Sequence, residues 1–144
     1  MVKKLRKFIK SFVYDIIHRG GKLECTVCDR RSKYFVDAGI IPRKDGRCPF
    51  CGALERHRLF WQYIKRKTDF EKSSVKDALH VAPEEILEKK LRPLIGKGYV
   101  TADLFDPKAD LKMDITDIQL PDNSFDFIYC SHVLEHVPDD RKAM

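Results

Sequence analysis

Residues 78–103 read ALHVAPEEILEKKLRPLIGKGYVTAD, and their pattern decides the fold of the second half of the chain. Residues 78–82 are an apolar run that predicts a buried strand, and residues 99–102 predict a second strand that ends at Asp103. A helix is expected between the two strands, with Pro83 as its first residue. A strand, a helix and a strand in this order are typical of an α/β fold with a parallel sheet.

The signals that bound this helix are acidic residues at its start and glycines at its end. Glu84 and Glu85 fall in the expected first turn, where the helix dipole favours negative charge. Gly96 and Gly98 stop the helix after about Leu94. The boundaries of the helix therefore follow from the sequence alone.

The alternation of strands and helices continues toward the C-terminus. Residues 109–113 predict a weaker third strand that ends at Asp114, and residues 125–130 predict an apolar fourth strand. A new helix is expected near Pro138. Residues 77–144 are thus interpreted as one α/β unit, joined by a polar linker to a different segment upstream.

Two pairs of cysteines mark that upstream segment. Cys25 and Cys28 form one Cys-x2-Cys pair, and Cys48 and Cys51 form a second pair 19 residues later. Two such pairs can supply the four tetrahedral thiolate ligands that zinc prefers. We therefore predict a structural zinc ribbon within residues 23–67. A redox pair and an iron–sulfur cluster are the alternatives, although redox activity normally needs one pair in a thioredoxin-like pattern that is absent here.

The residues around the cysteines give three further expectations. Arginines near the two pairs are expected to offset the thiolate charge and to lower the thiol pKa values. A helix is predicted from about Ala53 to Lys67, with its inner face formed by Leu54, Phe60, Tyr63 and Ile64. His57 is interpreted as a residue of the helix surface, with a place in the outer shell of the metal as the alternative.

The first 22 residues predict a basic amphipathic helix. Apolar residues recur at spacings of three and four over residues 2–17, and lysines and an arginine fill the other face. Such a helix packs on its own domain or lies on an anionic membrane surface, so peripheral membrane contact through residues 2–17 is one expectation.

Charge is distributed unevenly along the 144 residues, whose net charge is +6. Residues 1–67 hold 18 Lys and Arg against 6 Asp and Glu, whereas residues 101–144 hold 4 against 10. The basic half could meet nucleic acid, an anionic membrane surface or an acidic substrate. No run of about 18 apolar residues is present to span a membrane. Because no signal peptide is found, a reducing cytoplasmic location is expected.

Polar residues stand where the predicted strands end. Ligands of a parallel α/β sheet bind outside the carboxyl ends of its strands. Asp103 ends the second strand, where a carboxylate can accept from a ribose diol, and Asp114 ends the third, where it can accept from an adenine amino group. The fourth strand is followed by Ser131 and His132. Each aspartate alone also suits an ordinary turn.

Taken with the residues that follow, these aspartates resemble a known family. Residues 114–126 read DITDIQLPDNSFD and residues 133–140 read VLEHVPDD, a pattern similar to class I S-adenosylmethionine-dependent methyltransferases of the type 11-like group. The resemblance covers residues 77–144. It implies a Rossmann-like sheet ordered 3-2-1-4-5-7-6, of which this chain would contain strands 1–4 in the order 3-2-1-4.

The resemblance also implies a cofactor site. Asp103 would bind the ribose of S-adenosylmethionine, Asp114 with Ile115 would meet its adenine, and Ser131 and His132 would lie at the mouth of the cleft. His132 or His136 could serve as a base, although no catalytic residue is assigned.

The chain departs from the family pattern at the loop after strand one. The family has a glycine-rich h-h-x-h-G-x-G-x-G loop, whereas residues 79–84 here read LHVAPE. Ala82 is the smallest substitute for a glycine, and the free amides of the following helix could receive the methionine carboxylate. Glu84 is expected to turn toward the methionine amino group.

A second departure is length, because the chain ends after strand four of a seven-stranded fold. Either the sequence is a fragment of a longer product, or a partner covers the apolar edge of strand four.

The sequence therefore predicts an S-adenosylmethionine-dependent methyltransferase whose acceptor is unknown, with a small molecule, a glycan and RNA as the candidates. Two alternatives stay open: an RNA methyltransferase whose zinc ribbon delivers RNA, and a non-catalytic binding or scaffold module.

Overall fold

The computed structural model describes residues 13, 14, 16–68, 70 and 75–144. The chain divides into two compact units, residues 1–69 and residues 70–144. Residues 13, 14 and 16–18 are helical, and the rest of the helix predicted over residues 2–17 lies outside the described residues. Within the described ranges, no helix is long and apolar enough to cross a membrane.

The first unit contains two small antiparallel sheets. Strand β1 (Arg19–Glu24) pairs with β2 (Arg31–Ser32), and β3 (Val36–Ala38) pairs with β4 (Arg43–Arg47). These strands are short because turns and the two cysteine pairs interrupt them. Gly20 and Gly21 lie inside β1 rather than at the end of a helix.

Helix α1 (Glu55–Lys67) follows the second cysteine pair. It buries His57, Trp61 and Ile64, so the expected inner face was right for Ile64 and wrong for Tyr63, which is 57% exposed. The interpretation of His57 as a surface residue was also wrong. Its side chain is 3% exposed, and its Nδ1 accepts a hydrogen bond from the amide of Leu54 at 3.1 Å, which satisfies a donor at the start of the helix.

The second unit alternates strands and helices. Its elements are β5 (Ala78–Val81), α2 (Glu85–Ile95), a 3₁₀ turn (Gly96–Gly98), β6 (Tyr99–Asp103), β7 (Leu111–Lys112), β8 (Phe127–Cys130), a second 3₁₀ turn (Leu134–His136) and α3 (Asp140–Ala143). The four strands form one parallel sheet in the order β7-β6-β5-β8. The α/β content and the parallel sheet agree with the predicted fold class.

Apolar side chains from the central strands form the core of this unit. Leu79, Val81 and Ala102 pack with Met113 and Ile115, which follow β7. All four residues of β5 are buried, as expected for a central strand of a parallel sheet. Removing this apolar surface from water contributes about 25 cal/mol per Å². The core thereby fixes where the strand ends lie.

Two elements are shorter than the sequence predicts, one limited by a backbone hydrogen bond and the other by a side chain. Helix α2 begins at Glu85, and Glu84 caps it by accepting from the amides of Leu87 and Glu88, so Pro83 is not its first residue. The strand expected over residues 109–113 is reduced because the carboxylate of Asp110 accepts the amide hydrogen of Thr101 that strand pairing would use.

Strand β8 lies at one edge of the sheet. It pairs with β5, and no second partner occurs in the described part of the chain. Ile128 at its centre is 61% exposed. The expectation that a partner covers this edge stays a prediction.

Candidate functional site

The four cysteines of the first unit form a compact cluster. The Sγ atoms of Cys25, Cys28, Cys48 and Cys51 all lie within 4.8 Å of one another. The separation is 3.7 Å between Cys25 and Cys51, and 3.8 Å between Cys28 and Cys48. A tetrahedron with zinc–sulfur bonds of about 2.3 Å has edges of about 3.8 Å. The sulfur positions therefore fit one tetrahedral metal ion.

Two backbone turns of the same design hold these sulfurs. The amide of Asp29 donates to the carbonyl of Cys25 at 2.8 Å, and the amide of Gly52 donates to the carbonyl of Cys48 at 3.0 Å. Both residues have positive φ, 57° at Asp29 and 78° at Gly52. Glycine and aspartate tolerate this left-handed conformation, so the residue after each pair lets the chain reverse and present both thiols to one side.

Hydrogen bonds within the cluster and burial shift the pKa values of the thiols in opposite directions. Hydrogen bonds from the thiols of Cys25 and Cys51 lower the pKa of Cys48 to about 2. Burial raises the pKa of Cys28 to about 11. The four thiols thus share hydrogen bonds within one cluster, and a divalent cation would take the place of their protons.

The arginines near the cluster have other roles than the expected one. Arg58 donates to the carbonyls of Gly46 and Ala53 at 3.1 and 2.9 Å, bracing the second cysteine turn. The guanidinium of Arg30 lies 4.0 Å from the ring centroid of Phe50. The lowered pKa of Cys48 comes first from its neighbouring thiols, so the sequence argument named the wrong cause.

A cavity of about 180 Å³ lies at the carboxyl ends of the strands of the second unit. Four of the six predicted cofactor residues line it, namely Ala82, Asp103, Asp114 and Ile115. Glu84 and Ser131 are not among its lining residues, and their assignment to a cofactor stays a prediction.

The two aspartates of the cavity share one geometry. Oδ1 of Asp103 accepts from the amides of Phe105 and Asp106 at 2.7 and 2.8 Å. Oδ1 of Asp114 accepts from the amide and hydroxyl of Thr116 at 2.8 and 2.7 Å. These bonds hold the pKa of Asp114 below its usual value. No described residue donates to either Oδ2. Each carboxylate is therefore fixed by one oxygen and keeps the other available for a ligand.

Comparison with known proteins identifies the unit that holds this cavity. A family model described as a methyltransferase domain matches residues 67–144. The chain belongs to this methyltransferase family. The searches of curated proteins and of solved structures gave no match. The family match supports a class I S-adenosylmethionine methyltransferase, and the four-cysteine cluster fits a zinc ribbon ahead of it.

The methyltransferase unit keeps a glycine-like backbone where the family's glycines are missing. Ala82 has φ of +48°, in the left-handed region that glycine normally occupies. Its amide donates to the carbonyl of Ala102 at 2.8 Å, which ties the loop after β5 to the neighbouring strand β6. The absence of the glycines in the sequence thus does not mean the absence of the turn.

Sequence reasoning missed the apolar wall of the methyltransferase cavity. Leu104 and Phe105 line it directly after Asp103, and Met113 lines it just before Asp114. The sequence did carry a signal, because the apolar pair Leu104-Phe105 directly follows the strand end at Asp103, where turns are usually polar.

Two histidines after β8 complete the lining. His132 has φ of +57°, and its Nδ1 lies 3.0 Å from Oε1 of Glu135. His136 also lines the cavity.

Proposed function

We propose that residues 70–144 bind S-adenosylmethionine in this cavity and serve transfer of its methyl group to a nucleophilic acceptor. The observation that carries the proposal is the pair formed by Asp103 and Asp114. They follow neighbouring parallel strands, line one cavity and each leave Oδ2 without a donor among the described residues. Carboxylates that follow neighbouring parallel strands can accept from the hydroxyls and the amino group of a nucleoside.

The chain's own residues divide the binding of the cofactor. Asp103 would accept from the ribose hydroxyls, and Asp114 with Ile115 would hold the adenine against the apolar wall. The amides of Glu85 and Ile86, in the first turn of α2, have no intrahelical acceptor and suit the methionine carboxylate. When bound, the sulfonium of S-adenosylmethionine supplies an electrophilic methyl group, and the protein's main contribution is positioning.

Isothermal titration of the full chain with S-adenosylmethionine tests the proposal. Asp103→Asn keeps the Oδ1 acceptor of the turn but replaces the free oxygen with an amide donor. The affinity of this variant for S-adenosylmethionine is expected to fall roughly tenfold to a hundredfold. This range corresponds to about 1.5–3 kcal/mol, the contribution of a hydrogen bond to a charged group. Asp122→Asn, on an exposed turn outside the cavity, is the matched control. Absence of saturable heat, or equal affinity for the two variants, would reject the cofactor site.

We further propose that the cysteine cluster binds one structural zinc ion. Its four thiols provide all four ligands, so the protein leaves no position for a reacting molecule. Metal analysis of purified protein should give about one zinc per chain, and Cys28→Ser should reduce this content. Cys130→Ser removes the exposed cysteine outside the cluster and should leave it unchanged. Iron with visible absorbance would instead support an iron–sulfur cluster.

A second candidate function, methylation of RNA, is favoured by the surface of the first unit. Tyr34 is 46% exposed, and Phe50 carries the guanidinium of Arg30 over its ring. Aromatic and arginine planes together are typical of contacts with unstacked bases and phosphates. Fluorescence anisotropy with single-stranded RNA at 50 and 200 mM salt would show a steep salt dependence that Arg30→Ser and Arg31→Ser reduce. Salt-independent or absent binding would favour a small molecule or glycan acceptor.

A further inference from the structure

His80 occupies the centre of the sheet, below the loop that carries Ala82. It is 1% exposed and does not line the cavity. Both ring nitrogens nevertheless have partners. Nδ1 is hydrogen-bonded to the hydroxyl of Tyr99, and Nε2 lies 3.3 Å from the amide nitrogen of Glu84. Burying an imidazole costs free energy unless its nitrogens are hydrogen-bonded. The two hydrogen bonds of His80 therefore indicate that the ring has a structural role.

These partners define the protonation state of the ring. The Glu84 amide can only donate, so Nε2 must carry a lone pair. The ring proton of neutral His80 is then on Nδ1 and is donated to the Tyr99 hydroxyl. Burial lowers the pKa of His80 to about 4, which keeps the ring neutral at pH 7.

Glu84 is held at three points by these surroundings. Its amide binds His80, and its carbonyl accepts from the amides of Leu87 and Glu88 at 2.9 Å each. Its carboxylate Oε2 accepts from the hydroxyl of Tyr129 at 3.4 Å. These bonds fix the far end of the three-residue loop 82–84.

The near end of the loop is fixed by Ala82. Its amide binds the carbonyl of Ala102 while its own backbone stays in the left-handed region. Holding a non-glycine residue there costs about 1–2 kcal/mol, so the surrounding bonds must compensate.

We propose that His80 is a positioning residue that takes over the task of the missing glycines by holding the loop 82–84 in the shape that cofactor binding requires. The inference rests on the proposed function, because it concerns the same cavity. His80 acts through the Glu84 amide and does not touch the ligand. The loop then places Ala82 against the cavity and leads into the first turn of α2.

Three variants separate positioning from general stability. His80→Phe fills the volume but leaves the Glu84 amide without its acceptor. His80→Gln can return an acceptor oxygen near the position of Nε2. Tyr99→Phe breaks the other hydrogen bond of the ring and leaves the Glu84 bond intact, so it is the matched control.

Titration of each variant with S-adenosylmethionine gives the decisive comparison. The dissociation constant of His80→Phe should rise about tenfold, the effect of losing one to two hydrogen bonds in the loop. His80→Gln and Tyr99→Phe should stay within about threefold of the wild type. Urea unfolding of the same proteins should show that Tyr99→Phe also loses stability, so that stability loss alone does not explain weak binding.

The outcomes distinguish this inference from the proposed function. If the wild type fails to bind S-adenosylmethionine, both fall together. If the wild type binds and His80→Phe binds equally well, only the positioning role is overturned. Nitrogen NMR of wild-type protein at pH 7 adds a test that needs no variant. The proton is expected on Nδ1 of His80, and a proton on Nε2 would refute the bond to Glu84 whatever the titrations give.

Discussion

Ala82 is the residue at which this chain differs most informatively from its family. The positive φ of Ala82 shows that the backbone after β5 is in the left-handed region, although the residue there is alanine and not glycine. Removing this strain should stabilise the folded state by about 1–2 kcal/mol. Glycine also increases the conformational entropy of the unfolded chain, which offsets about 0.4–1 kcal/mol of that gain. Ala82→Gly is therefore expected to stabilise the protein by roughly 0.5–1 kcal/mol in urea unfolding.

A second alanine of the same strand provides the control for that prediction. Ala78 is buried at the start of β5 with an extended backbone, so Ala78→Gly should destabilise the protein by about 1 kcal/mol. If both substitutions destabilise the protein equally, the strain at Ala82 is not real.

His80 gives the protein a pH dependence of known sign. Its pKa is about 4 in the folded protein, against about 6.5 when unfolded, because burial outweighs the opposing charge of Glu84. The remaining neighbours are the hydroxyls of Tyr99 and Tyr129, and Arg92 stacks on the Tyr99 ring at 4.9 Å. The unfolded state therefore binds the extra proton first, and stability falls as the pH drops from 6.5 toward 4.

The size of that loss is about 3 kcal/mol for complete protonation. Urea unfolding of wild type and His80→Gln at pH 7, 6, 5 and 4.5 measures it. The difference between the two proteins should shrink steadily toward low pH. Parallel curves would show that His80 does not titrate differently in the two states.

At this scale the sequence located residues that line the cavity better than the residues that support it. Asp103 and Asp114 could be placed because they end recognisable strands, and strand ends of a parallel sheet share an edge. The bond between His80 and Tyr99 could not be predicted, because the two residues meet only when β5 and β6 pair. The bond of His57 to the amide of Leu54 is local, but histidine is not one of the residues by which a helix start is usually predicted. His57 was consequently assigned to the surface although it is buried.

The limits of helices and strands were predicted well where the apolar pattern is strong. They were predicted wrongly where a side chain takes the place of a backbone hydrogen bond. Strands β5 and β6 lie within one residue of their expected limits. The strand β7 is shorter than expected because Oδ2 of Asp110 accepts from both the amide and the hydroxyl of Thr101, at 2.9 and 2.8 Å. A side chain that accepts a hydrogen bond in place of the neighbouring strand leaves no periodic pattern in the sequence, so the shorter strand could not be predicted.

The turn between α2 and β6 contains two glycines whose surroundings differ, so its packing can be tested through them. A Cβ added to Gly98 would lie 1.8 Å from the backbone oxygen of Lys76, whereas one added to Gly96 meets nothing within 4 Å. Backbone oxygen cannot move aside as a flexible side chain does. Gly98→Ala is therefore expected to cost about 3 kcal/mol or more in denaturant unfolding, within the range of severe steric changes.

Gly96→Ala serves as the reference for that substitution. Gly96 has φ of +78°, so alanine there adds backbone strain of about 1 kcal/mol without a clash. Equal costs for the two variants would mean that the contact between Gly98 and Lys76 is not close.

At the scale of the whole molecule, the two units are stabilised by different means. Residues 70–144 have an apolar core at a parallel sheet, whereas the short strands of residues 1–69 surround a cluster of thiols. Small units commonly add a metal ion to the apolar side chains that they bury, which in the described part of the first unit include Phe35, Trp61 and Ile64. Both halves were recognisable in the sequence because cysteine spacing and strand–helix alternation are local patterns.

Metal removal should therefore separate the two units. Treatment with a strong zinc chelator is expected to expose the backbone of the first unit while the second unit keeps its fold, because binding energy of a structural zinc ion is folding energy. Hydrogen exchange read by mass spectrometry measures this directly. Peptides covering residues 19–67 should lose protection, and peptides covering β5 and β6 should keep it. Cys28→Ser without chelator should reproduce the pattern, whereas Cys130→Ser should not. Loss of protection throughout the chain would show that the sheet depends on the metal as well, and unchanged protection everywhere would show that the thiols hold no structural ion.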